Sequence, residues 1–280
     1  MTPHARIILP PDATVSRTGE AGGMQAISAR GLRKTYGSTV ALAGVNLDIT
    51  AGEAVAIMGP SGSGKTTLLH TVAGILTPDA GQVHLSDNGT TVDVAALSDK
   101  DRTRLRRERF GFVFQEGMLL PELTAVENVA LASMLVGGSR ATAMVEASRC
   151  LGALGLAGME ERRIRQLSGG QAQRVAIARA QVTGASIVFA DEPTGALDTA
   201  TGDEVMRALL GTTVSRGSTL VLVTHDERVA AQCTRVIRMQ DGHITSDGRA
   251  VIPAPAATPA ATPASAPAWP APAWPAPTGA

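Results

Sequence analysis

Apolar and polar positions along the chain follow two periods, and their order predicts an alternation of strands and helices. Unbroken apolar runs occur at residues 54–58, 110–114, 187–190 and 219–223. Runs of this length without alternation read as strands buried on both faces. Leu68, Leu69, Val72, Ala73 and Leu76 share one face of a predicted helix. Helical patterns recur over 125–136 and 141–154, broken at Gly137-Gly138, then over 171–182, 203–214 and 227–232. The helix over 171–182 is rich in small residues (Ala172, Ala176, Ala178, Ala180), which allow close packing. Residues 45–49 alternate apolar with polar, as a half-buried antiparallel strand does, and pair across a turn at Tyr36-Gly37-Ser38 with a strand at 26–28. Short strands at 83–85 and 91–94 follow the turn at 77–81, and 236–239 with 243–245 form a closing hairpin around Asp241-Gly242. Near-continuous apolar strands alternating with helices imply an α/β fold with a mostly parallel sheet covered on both faces.

The two ends fall outside this pattern. Residues 1–23 lack periodicity and read as a flexible N-terminal arm. The last 28 residues hold nine of the sixteen prolines, and both tryptophans lie there in a repeated Pro-Ala-Trp-Pro. A Pro/Ala-rich tail over 250–280 cannot bury a core and is expected to be extended and disordered. It suits either an inert tail or a docking segment. The folded part is therefore expected at 24–249.

Composition removes several functional classes. Cationic and anionic residues balance at 25 each, so no broad field favours nucleic acid. Two cysteines, Cys150 and Cys233, form neither a metal spacing nor a disulfide framework. No apolar run reaches the roughly 18–20 residues of a membrane span, so a membrane role requires partners. The arginines at 102, 104, 106, 107 and 109 suit a solvated helix face or a phosphate patch.

Against that background one stretch carries chemistry. Gly59, Pro60, Ser61, Gly62, Ser63, Gly64, Lys65, Thr66 and Thr67 match G-x-x-x-x-G-K-[ST], between a predicted strand and a predicted helix. That arrangement points backbone N–H groups and a helix N-terminus at a phosphate. Lys65 is placed for the β- and γ-phosphates and the Thr66 hydroxyl for Mg²⁺. The reading is a nucleoside triphosphate site.

Ligands in open α/β sheets sit at the carboxyl ends of strands. Just past such ends stand Asp191 and Glu192, His225, and Gln115. Asp191 suits Mg²⁺, directly or through water, and Glu192 suits polarising an attacking water. His225 suits a γ-phosphate contact, and Gln115 suits either Mg²⁺ or water. Ser168 and Gln171 flank Gly169-Gly170 at capping-box spacing, compatible with a well-capped helix or with a second anion site. One nucleotide cannot readily use two separated cradles on one subunit, whereas a head-to-tail dimer would let each second cradle close the other's site.

Together these motifs, with Ala196-Leu197-Asp198, resemble the ordered set of the ATP-binding cassette (ABC) transporter ATPase subunits, over roughly residues 24–249. The resemblance implies a P-loop NTPase (RecA-like) core, an N-terminal antiparallel β subdomain and a helical signature subdomain at about 116–168. It implies ATP and Mg²⁺, with Tyr36 stacked on adenine and Thr66, Gln115 and Asp191 around the metal. Glu192 would be the catalytic base, aided by His225, Gln115 and Lys65. Ser168, Gly169, Gly170 and Gln171 would close the site from a second ATPase subunit, with Asp198 linking the two sites. No catalytic position departs from the pattern. Gln181 stands where the family commonly has leucine, a departure that touches packing.

The loops at 191–198 and 118–124 are similar to the lipoprotein-release and macrolide-export branch. The partner expected from it is an integral-membrane permease on a separate chain, with the ATPase cytoplasmic and peripheral at the inner face of the membrane. Met118, Leu119 and Leu120 suit either a buried loop or a groove for a permease helix. Other readings are a soluble mechanical ATPase, an importer subunit or a phosphotransferase. The 103 residues between Lys65 and Ser168 leave no room for the long coiled coil of DNA-repair versions.

Overall fold

The computed structural model describes residues 25–87 and 90–249; the arm and tail expected from the sequence lie outside these. Two sheets form the frame. Strands β1 (Gln25–Tyr36), β2 (Thr39–Thr50), β4 (Ala80–Asp87) and β5 (Thr90–Asp93) make an antiparallel sheet in the order β2-β1-β4-β5. The second sheet runs β10-β9-β3-β8-β7-β6, built from β3 (Ala54–Met58), β6 (Phe110–Phe114), β7 (Ile187–Asp191), β8 (Thr219–Val223), β9 (Arg235–Gln240) and β10 (His243–Arg249). All its pairings are parallel except that of β10 with β9.

The four apolar runs are the parallel strands β3, β6, β7 and β8, and they are apolar because both of their faces are covered. Val55 and Ile57 of β3 pack toward the antiparallel sheet with Ile27, Leu32 and Ile49, and toward helix α1 (Lys65–Val72) with Leu68 and Leu69. Ala54, Ala56 and Met58 on the opposite face pack against the other helices. Those are α3 (Ala125–Leu135), α4 (Arg140–Ala153), α5 (Gly169–Gln181), α6 (Thr199–Thr213) and the short α7 (Glu227–Ala230). Burying each Val, Leu or Ile side chain contributes about 1.5–3 kcal/mol, so a two-faced strand has no position where a polar side chain is inexpensive.

Several boundaries differ from the sequence reading. β1 runs twelve residues, although only 26–28 read as strand. Register shifts between Ala29 and Leu32 and between Lys34 and Thr35 break its alternation, which hid the rest. α6 begins at Thr199 because Asp198 is its N-cap, the carboxylate accepting from the Thr201 amide. α2 (Asp99–Arg109) has no buried residue. Its arginines have local partners: Arg102 bonds Asp99, Arg104 bonds Glu108, and Arg106 bonds Thr103 and the Gly74 carbonyl. The small residues of α5 do permit close packing. A Cβ at Gly111 of β6 would lie 2.2 Å from the Ala180 carbonyl oxygen. Gln181 turns its buried amide to Thr212 and Thr213, donating to each hydroxyl at 2.8 Å.

Candidate nucleotide site

The loop between β3 and α1 can be built only with glycine at its two hinges. Gly59 has φ +152°, and a Cβ there would lie 2.2 Å from the Met239 carbonyl oxygen. Gly64 has φ +97°, and a Cβ would lie 2.2 Å from the Ala41 carbonyl oxygen. Gly64 also caps α1 without offering a side-chain acceptor, so the first-turn amides stay available to an anion. Lys65 is buried and donates from Nζ to the Pro60 carbonyl at 2.8 Å, which holds its charge inside the loop.

Parallel pairing brings the chemistry to one edge. Phe114, Asp191, Val223 and Ile57 stand in register across β6, β7, β8 and β3. The residues that follow these ends therefore converge. Thr66 donates from Oγ1 to Asp191 Oδ1 at 3.2 Å. Burial pushes the Asp191 carboxyl above the usual carboxylate range, opposed by His70 and by the Thr66 hydrogen bond. Glu192 turns back with φ +49°, its amide donating to the Val223 carbonyl at 3.0 Å. This left-handed turn, costly for a non-glycine residue, sets its carboxylate 2.9 Å from His225 Nδ1. Gln115 lies exposed against the loop after β7: a methyl on Gly195 would sit 3.1 Å from its Nε2.

A hydroxyl, a carboxylate and an amide oxygen are hard donors suited to Mg²⁺. No group of three or more His, Cys, Asp or Glu among the described residues could hold a metal unaided. Of the three donors only Asp191 is a carboxylate, a set that would share the ion with substrate phosphates. One buried polar atom of the loop, Ser63 Oγ, has no hydrogen-bond partner, and the site is thus short of a polar group that a ligand brings.

The remaining sequence candidates lie in two other places. Ser168 caps α5, accepting from the Gln171 amide at 3.3 Å while the Gln171 side chain accepts from the Ser168 amide at 2.9 Å. Gly169 and Gly170 abut Leu197 and Thr201 of the same chain, where a Cβ on Gly170 would clash at 2.3 Å. The cap leaves Ser168 and Gly169 exposed, while Gly170 is buried. Asp198 is exposed too, its carboxyl held low by the Thr201 hydroxyl and amide. Tyr36 is 49% exposed, with the Lys34 ammonium 5.8 Å from its ring centroid.

Three residues went unnoticed in the sequence. His70 Nε2 stands 3.9 Å from Asp191 Oδ2. Gln173 donates to the Phe114 carbonyl at 2.9 Å, and Arg179 donates to the carbonyls of Gly117 and Met118 at 2.7 and 2.6 Å. α5 thus grips the chain on both sides of Gln115. The spacing of His70 four residues after Thr66 was the one available signal. Gln173 and Arg179 gave none, because the loop they hold is distant in sequence.

Met118 (φ +45°) and Leu120 are exposed, whereas Leu119 packs against the core. Met118 lines a groove of about 320 Å³ with Arg107, Phe112, Leu135 and Arg179. No helix among the described residues is long and apolar enough to cross a membrane.

The family described as ABC transporter matches residues 42–195. The chain is 47% identical over 208 residues to the probable syringafactin export ATP-binding/permease protein SyfD of Pseudomonas syringae, covering 74% of this chain and 31% of the relative. It is 48% identical over 214 residues to the macrolide export ATP-binding/permease protein MacB of Marinobacter nauticus, covering 76% and 32%. The chain thus spans about a third of the length of these relatives. Among solved structures it resembles the dimeric post-hydrolysis state of the ATP-binding cassette MJ0796 bound to ADP and Pi. That likeness has a TM-score of 0.72 and 39% identity, covering 80% of this chain and 98% of that one.

Proposed function

The chain belongs to the ABC transporter family, and from that premise we propose that it is an ATP-hydrolysing subunit that dimerises head to tail around two ATP and drives an export or mechanotransmission-type membrane permease. The observation that carries this is the Glu192–His225 pair, at 2.9 Å, beside the Thr66–Asp191 pair at the carboxyl edge of one parallel sheet.

The loop amides and Lys65 bind the β- and γ-phosphates, and Tyr36 offers its exposed ring to adenine. Thr66, Gln115 and Asp191 would hold Mg²⁺, which would supply positive charge to the phosphates. Glu192 takes a proton from the attacking water as the water oxygen bonds to the γ-phosphorus. The bridging bond to the β-phosphate then breaks, leaving ADP and phosphate. His225 holds the Glu192 carboxylate in place and faces the γ-phosphate. Ser168 and Gly170 close the site from the second subunit, and Asp198 stands in the loop between the two sites. Gly169 and Gly170 pack beside Leu197 and Thr201 of their own chain and Ser168 is exposed, which supports a second cradle presented outward.

In this reading the groove beside Met118 receives a cytoplasmic segment of the permease, and the chain sits at the cytoplasmic face of a membrane. The relatives' names, export ATP-binding/permease proteins, support export over import. Among the described residues no helix between Lys65 and Ser168 exceeds the 14 residues of α4, which speaks against a DNA-repair ATPase.

Replacing Glu192 tests the assignment. Glu192→Gln keeps the shape and removes the base, so steady-state hydrolysis should fall by about 10²–10⁴-fold while ATP still binds. Turnover near the wild-type rate would show that another group activates water.

A further inference from the structure

Helix α1 brings two polar side chains to the same carboxylate, and only the first belongs to the phosphate-binding motif. Thr66 and His70 are one turn apart and share a face of α1. Thr66 Oγ1 bonds Asp191 Oδ1 at 3.2 Å, and His70 Nε2 faces the other oxygen, Oδ2, at 3.9 Å. The Nε2 atom is shut off from solvent and has no hydrogen-bond partner. Packing alone would favour an apolar side chain here, since a sealed N–H with no acceptor is destabilising. Asp191 Oδ2 is the carboxylate oxygen in front of it, and the gap exceeds a hydrogen bond by less than 1 Å.

We propose that His70 is a positioning residue for the metal-holding carboxylate: its Nε2–H takes Asp191 Oδ2, so that Oδ1, beside the Thr66 hydroxyl, is fixed toward Mg²⁺. This rests on the reading of Thr66 and Asp191 as the protein's Mg²⁺ donors. A carboxylate gripped at one oxygen loses its freedom to rotate, and the ion then meets a preset donor. Groups that hold ligating carboxylates in this way typically change metal affinity 10–100-fold. Because α1 also carries Lys65 and the loop's C-terminal hinge, the same helix would set the phosphate grip and the metal donor together.

The test is calorimetric titration of the full chain with a β,γ-imido analogue of ATP, in Mg²⁺ and in EDTA. Wild type, His70→Ala and His70→Gln are compared, and their melting temperatures are taken alongside. The expected result is that His70→Ala binds the analogue about tenfold more weakly in Mg²⁺ and equally well in EDTA. His70→Gln, which can place an amide N–H near the Nε2 position, should recover most of the loss. An equal loss with and without Mg²⁺, no loss at all, or a glutamine variant as weak as the alanine variant would overturn the proposal. If wild type binds the analogue equally with and without Mg²⁺, the donor assignment to Thr66 and Asp191 fails, and this proposal with it. A wild type that responds to Mg²⁺ beside an equally responsive His70→Ala refutes the role of His70 alone.

Discussion

At the scale of single residues the site holds charge in places that oppose folding. Asp191 is partly buried at the end of β7, and burial lifts its carboxyl above its ordinary range. A carboxyl raised in the folded chain binds its proton more tightly there than in the unfolded chain. Its ionised form therefore lowers stability once the pH exceeds the unfolded value near 4, most fully above the folded value. Asp191→Asn keeps an oxygen for Thr66 and removes that charge. The variant should melt about 1–3 °C higher at neutral pH without nucleotide, while hydrolysis drops about 100-fold. A lower melting temperature would show that the ionised carboxylate stabilises the empty fold. The identities of such residues were legible, since Lys65, Asp191, Glu192 and His225 each follow a recognisable strand or loop. Their pairings were not. Glu192 meets His225 only because its backbone takes a left-handed turn, and nothing in Asp191-Glu192-Pro193 announces that conformation.

At the scale of elements, α5 does more than present a capped N-terminus. Its cap is Ser168, its middle and end hold the loop after β6 through Gln173 and Arg179, and its last residue reaches α6. Arg179 is pushed down from its usual range by burial, and its fork spans two carbonyls that no shorter donor could join. Gln181 tests which of these contacts serve stability alone. Gln181→Leu, the residue common in the family, would leave the buried Thr213 hydroxyl without its partner. It should cost about 1 kcal/mol, or about 2–4 °C in melting temperature, with hydrolysis unchanged. A loss of turnover would tie the α5–α6 contact to the site. The helices and central strands were readable because their apolar periods are unbroken. β1 is not, because its bulges interrupt the alternation, and the start of α6 is not, because nothing apolar marks it: its signal is the cap Asp198.

At the scale of the whole molecule, the two sheets and the helices form one frame whose functional parts face different ways. The nucleotide loop and the Glu192–His225 pair share one strand edge, whereas Ser168 stands exposed at the start of α5, whose first glycines pack beside Leu197 and Thr201. In the proposed function the first is a grip on phosphate and the second a cradle directed at another copy. The apolar groove by Met118 adds a third surface, suited to a membrane partner. On the proposed function, ATP is the adhesive between two copies and hydrolysis releases them. The most direct measurement is sedimentation of Glu192→Gln with saturating ATP and with ADP. The account expects twice the 28.7 kDa chain mass with ATP and the single mass with ADP. A single mass at saturating ATP, with binding confirmed in the same sample, would contradict it.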